Sequence, residues 1–85
     1  MPLKVSVISP EKTLFDGSVD SLVAPAFDGE VGILPGHAPM MTLLGTGTLR
    51  LGPEGSAGRF RVEGGFLQVV KNRVRVLAES VQGAP

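Results

Sequence analysis

The sequence contains no cysteine, tryptophan or tyrosine, and it has a single histidine. Without thiols there is no disulfide framework, no thiolate nucleophile and no thiolate-held metal. One imidazole means that a histidine-ligated metal would need two or more carboxylates converging on it. Long apolar runs are also missing: the longest are a few residues, far short of the roughly 20 that a spanning helix needs. The first residues alternate polar with apolar instead of forming a signal-type segment. No stretch keeps apolar residues at i, i+3, i+4 and i+7 long enough to predict a helix. These absences lead to the expectation of a soluble, intracellular chain without helical architecture.

What is present is a period of two. LKVSVI sets Leu3, Val5 and Val7 against Lys4, Ser6 and Ile8; GRFRVEG sets Phe60 and Val62 against Arg59, Arg61 and Glu63; NRVRVLA sets Val74 and Val76 against Arg73 and Arg75. Such runs are strands with one buried and one wet face, and β-branched residues favour them. Turn chemistry recurs between them, at Ser9-Pro10, Asp16-Gly17, Asp28-Gly29, Pro35-Gly36, Gly64-Gly65 and Lys71-Asn72. The spacing predicts an all-β sandwich or barrel, with strands over 3–8, 13–16, 18–25, 30–34, 40–44, 47–51, 58–63, 65–70 and 73–78. At 85 residues the chain makes one small domain. GPEGSAG (52–58) reads as a loose hairpin loop, Gly64-Gly65 as a bulge or close approach of backbones, and 81–85 as a short flexible tail beyond a domain over 1–80.

The chain is neutral by formal count, but its charges are unevenly spread. Through Pro35 two lysines accompany five acids, whereas six bases accompany two acids between Arg50 and Arg75. Arg59, Arg61, Arg73 and Arg75 offer a basic face for a nucleic acid or another anionic ligand. Phe60 and Phe66, however, fall on apolar-phase positions, so the arginine face lacks the interleaved aromatics on which bases stack. Asp28 and Glu30 share one face of a strand and read as a charged turn beside an edge. Ser56 lies in GSAG, which lacks the GxSxG nucleophile pattern, and GTGTLRLG has neither the spacing nor the following helix of a phosphate cradle. No catalytic residue, cofactor site or metal site follows from these motifs.

The densest feature is GILPGHAP (32–39). Pro35 fixes its φ and Gly36 admits positive φ, and Pro39 then holds Ala38 extended. A segment so restrained loses little entropy on docking. Ile33, Leu34, Met40 and Met41 bring apolar area, and alternation turns one of Met40 and Met41 away from the other.

DGEVGILPGHAPMMTLLGTGTLRL (28–51) resembles the epsilon subunit of F-type ATP synthases, whose hallmark is an acidic-Gly-Glu-aliphatic-Gly-Ile-x-Pro-Gly-His-Ala-Pro stretch. VISPEKTLFDGSVDSLVAP (7–25) is similar to that family's first strands, and VEGGFLQVVKNRVRVLAES (62–80) to its closing hairpin. The resemblance implies a flattened β-sandwich of about ten short, mainly antiparallel strands. It implies a non-catalytic subunit of the central stalk, without cofactor, bound to the gamma subunit and the c ring and coupling ring rotation to ATP synthesis or hydrolysis. By position, Ser9, His37, Ala38, Met40, Met41 and Thr42 are expected on the gamma side, and Asp28, Gly29 and Glu30 in a loop facing the c ring. The implied location is peripheral, on the cytoplasmic face of a bacterial inner membrane or on an energy-transducing organelle membrane. Many family members continue into a two-helix C-terminal domain, and no capping box follows Ser80 here. Apart from the resemblance, the residues leave open a stand-alone β-sandwich module that binds through an Arg-rich face.

Overall fold

Alternation is realised directly in the first strand of the computed structural model, which describes residues 2–83. In β1 (Leu3–Ile8) Leu3, Val5 and Val7 are buried and Lys4 is exposed. Seven further strands follow: β2 (Thr13–Val19), β3 (Leu22–Ala26), β4 (Gly29–Ile33), β5 (Met40–Leu43), β6 (Thr46–Leu51), β7 (Gly58–Val70) and β8 (Arg73–Gly83). They pair in the order β2-β1-β8-β7-β6-β3-β4, with β5 added to β7. All pairs are antiparallel except β1 with β8.

The two long strands make this sheet a sandwich. The first part of β7, from Gly58 to Glu63, pairs with β6; the second, from Phe66 to Val69, pairs with β5. β8 follows β7 along both parts, whereas β1 uses only Arg73–Leu77 of it. One layer is therefore β2-β1-β8-β7-β5, and the other is β8-β7-β6-β3-β4. The bend between them sits at Gly64 and Gly65, with φ of 67° and 102°. A β-carbon on Gly65 would run into the carbonyl of Leu77, so only glycine lets the strands approach there. Across this bend the inward positions of β7 change from Phe60 and Val62 to Leu67 and Val69.

Three expectations change accordingly. The segments 58–63 and 65–70 are one strand, so there are eight continuous strands among the described residues; about ten appear when β7 and β8 are counted once in each layer. Phe66 does not share the apolar phase of Phe60 but points outward, because the bend shifts the phase by one. The expected boundary after residue 80 falls inside β8: Val81 stands opposite Val62 and packs on the core, and pairing continues to Gly83. Residues 84 and 85 of the expected tail lie outside the described residues. Within 52–58, Pro53–Gly55 forms a short 3-10 turn that Arg59 closes by donating from Nη2 to the Glu54 carbonyl at 2.8 Å.

The core holds buried aliphatic side chains from both layers, including Leu3, Leu22, Ile33, Leu49, Leu67 and Val76. Phe15 of β2 meets Phe60 of β7 edge to face, with ring centroids 6.4 Å apart, and so links an edge of one layer to the other. No polar side chain is buried among the described residues. Among the described residues no helix is long and apolar enough to cross a membrane.

Candidate functional site

The LPGH turn is built as its composition predicts. His37 N–H donates to the Leu34 carbonyl at 3.1 Å, and Gly36 takes φ of 87°. Gly36 N–H also donates to Asn72 Oδ1 at 2.7 Å. Lys71 and Asn72 both have positive φ, 49° and 63°, as a two-residue turn joining β7 and β8 requires. The Asn72 carbonyl in turn accepts from Lys4 N–H at 2.8 Å. One asparagine therefore ties three segments together at one end of the first layer. His37 Nδ1 lies 2.7 Å from the Ala38 carbonyl oxygen. A carbonyl only accepts, so Nδ1 carries the proton and the half-buried ring is held against its own loop.

β5 resolves the methionine pair. Met40 stands opposite Val69 and Thr42 opposite Leu67, both on the core side, and Met40 packs on the core. Met41, opposite Gln68, points away and is 64% exposed. Of the residues expected on the gamma side, Met41 thus offers its side chain to solvent, while Met40 and Thr42 support the strand from beneath.

The outward face of this layer contains a feature the site expectations did not include. Leu43 pairs with Phe66, Phe66 with Leu77, and Leu77 with Ile8, giving an apolar row across β5, β7, β8 and β1. Leu43 is 60% exposed and Phe66 36%. Phe27, 66% exposed, extends the row, since its N–H donates to the Leu43 carbonyl at 3.0 Å. Its signal in the sequence is a broken alternation. Val7-Ile8, Leu43-Leu44, Phe66-Leu67 and Val76-Leu77 are apolar doublets, and a doublet in a strand leaves one apolar residue on the wet face.

Ser9 stands at the far side of the row, just beyond Ile8. Its hydroxyl is spent within the turn from β1 to β2, accepting from Lys12 N–H at 3.2 Å and from Glu11 N–H at 3.3 Å. Asp28 and Gly29 stand beside Phe27 at the tip of the β3–β4 hairpin, and Gly29 takes φ of 129°. Glu30 lies on edge strand β4, where its Oε1 is 3.3 Å from Arg50 Nη2. The structure therefore brings Ser9 and the hairpin tip to one end of the molecule, and His37 and Ala38 to the other. A strand of four to five residues between those ends spans roughly 15 Å.

The four arginines do not form one face. Arg59 and Arg61 project from the part of β7 that pairs with β6, whereas Arg73 and Arg75 project from the part of β8 that pairs with β1. The bend at Gly64-Gly65 puts the two pairs on opposite layers, which corrects the expectation of a joint basic face. No group of three or more His, Cys, Asp or Glu side chains is placed to hold a metal among the described residues.

Eight strands among the described residues, in two layers with a partly apolar outer face, define a β-sandwich domain. The chain belongs to the family described as ATP synthase, Delta/Epsilon chain, beta-sandwich domain, whose match covers residues 2–84. Among its relatives are proteins named ATP synthase epsilon chain. That of Leptospira borgpetersenii is 49% identical over 77 residues, covering 91% of this chain and 61% of the relative. That of Desulforamulus reducens is 43% identical over 81 residues, covering 95% and 61%. The chain thus spans about three fifths of the length of the curated relatives it matches. In fold it is similar to a chain in the cryo-EM structure of the Euglena gracilis mitochondrial ATP synthase, OSCP/F1/c-ring, with a TM-score of 0.86 at 20% identity, covering 96% of this chain and 53% of that one.

Proposed function

We propose that this chain is a non-catalytic subunit of the central stalk of an F-type ATP synthase, where it couples c-ring rotation to ATP synthesis or hydrolysis. The observation that carries the reading is the apolar row Leu43–Phe66–Leu77–Ile8, presented on the outer face of four paired strands. Such a row on a rigid sheet is a docking surface for another folded subunit, because little order has to be gained when it is covered. The gamma subunit is the partner assigned to this face, with Met41 and the rims at Ser9 and at His37-Ala38 around the row. Met40 and Thr42 hold β5 in place below it.

Asp28, Gly29 and Glu30 are assigned to contact with the polar loops of the c ring. A charged hairpin tip suits a wet contact of that kind. Under this reading the chain is peripheral to the membrane, on the cytoplasmic face of a bacterial inner membrane, and needs no cofactor. Binding of the purified chain to the cognate gamma subunit tests it. The wild-type chain should co-elute with gamma and the Leu43→Asp variant should not. A wild-type chain that ignores gamma, or an equally tight Leu43→Asp variant, would overturn the reading.

A further inference from the structure

The face that carries the apolar row has a second, chemically different half. Toward the Asn72 end its outward residues are Lys4, Lys71, Arg73 and Arg75, which line two adjoining shallow grooves together with Gln68, Val70, Ser6 and Asp16. Lys4 and Arg73 are direct cross-strand partners, and Arg75 lies two residues along the same strand. Like charges placed opposite each other oppose strand pairing, by a few tenths of a kcal/mol or more. The fold does not relieve this repulsion. The ion pair among the described residues, Arg50 with Glu30, lies on the other layer. Asp16, opposite Ser6, borders the groove but makes no ion pair with any of the four cations.

We propose that this basic half receives an acidic strip of the folded partner that covers the face, so that the partner presents apolar and acidic strips side by side. The inference rests on the docking reading above and specifies the chemistry of the surface that meets it. Charge complementarity selects the occupant: four cations and one carboxylate line the two grooves, and the apolar row begins on the same strands. A single-stranded nucleic acid fits less well. Gln68 and Val70, not aromatic rings, stand opposite Arg75 and Arg73, leaving bases nothing to stack on beside the charges.

The electrostatic half should govern encounter rate and salt dependence more than residence time. The test measures association of the chain with the cognate gamma subunit by stopped-flow fluorescence at low and high salt. For Arg73→Glu/Arg75→Glu the association rate constant should fall about tenfold at low salt, and its salt dependence should largely vanish. Arg73→Gln/Arg75→Gln should give a smaller fall of the same kind while removing the repulsion from Lys4, which keeps the test valid if the reversed pair folds poorly. Arg59→Glu/Arg61→Glu, on the opposite layer, should associate as the wild type does.

If the Arg73/Arg75 variants associate like wild type, or the Arg59/Arg61 control falls equally, the basic strip is not part of the docking site and the proposal fails, although the apolar row stands. Binding of oligo-dT or of phosphatidylglycerol vesicles that depends on Arg73 and Arg75, with gamma association unchanged, would also overturn it. Absence of any wild-type binding to gamma would remove the docking reading itself, and this inference with it.

Discussion

Gly36 N–H and Asn72 Oδ1, 36 positions apart in the sequence, are joined by a 2.7 Å hydrogen bond. The bond fastens the Pro35-Gly36 turn to the tip of the β7–β8 hairpin, and the Asn72 carbonyl holds the start of β1 at the same point. The stiffness of the LPGH turn therefore comes from two sources, its own proline and glycine and a side chain from another strand pair.

Replacing Asn72 separates its two roles. Asn72→Gly keeps the positive φ but loses the acceptor, and should cost about 1 kcal/mol of unfolding free energy in urea melts. Asn72→Ala loses the acceptor and also strains the left-handed turn, so it should cost about 1 kcal/mol more. Equal stability of the two variants would show that turn strain contributes nothing.

The bend between the layers depends on the absence of a side chain. Gly65→Ala would push a methyl group into the Leu77 carbonyl at a residue with φ of 102°. The expected loss is above about 2 kcal/mol, read as a lower Tm. Gly32→Ala, where a β-carbon meets nothing within 4 Å, should leave Tm nearly unchanged and serves as the control.

Neighbouring methionines should respond in opposite ways. Met40→Asp places a carboxylate against the core and should destabilise the domain by about 2 kcal/mol or more. Met41→Asp, on the exposed face, should change stability by less than about 0.5 kcal/mol. The same Met41 variant should weaken gamma binding about tenfold, because its site is desolvated only in the complex.

Beneath the docking face, Leu67→Ala opens a cavity under the partly exposed Phe66 and should cost about 2–5 kcal/mol, with a matching shift in the denaturation midpoint. Its effect on gamma binding should disappear at temperatures where the variant is fully folded.

The Glu30–Arg50 pair is partly exposed and its single contact is long, so Glu30→Gln should alter stability by less than about 0.5 kcal/mol. A large loss in thermal melts would mean that the pair organises the β3–β4 hairpin and does not merely decorate it.

Much of the fold was legible in local pattern. Leu3, Val5 and Val7 against Lys4 predicts β1 residue by residue, and the Pro35-Gly36 and Lys71-Asn72 turns lie where their chemistry places them. Gly64-Gly65 was legible as a special backbone point, but not as the place where one strand leaves one layer for the other. The end of β8 at 81–83 is not legible in sequence, because Gln82 and Gly83 carry no strand signal and only pairing with Arg61 and Phe60 supplies their backbone partners.

Alternation and turn residues alone determined that this chain is all-β, where most strands lie, and that a turn forms at Pro35-Gly36, since these follow from steric and hydrophobic preferences within a few residues. Only the tertiary structure decided which outward side chains share a face. Ile8, Leu43, Phe66 and Leu77 become one row, and Arg59 and Arg61 part from Arg73 and Arg75. The cause is the cross-strand register, which joins segments distant in sequence and is set by burying one face of every strand in a common core.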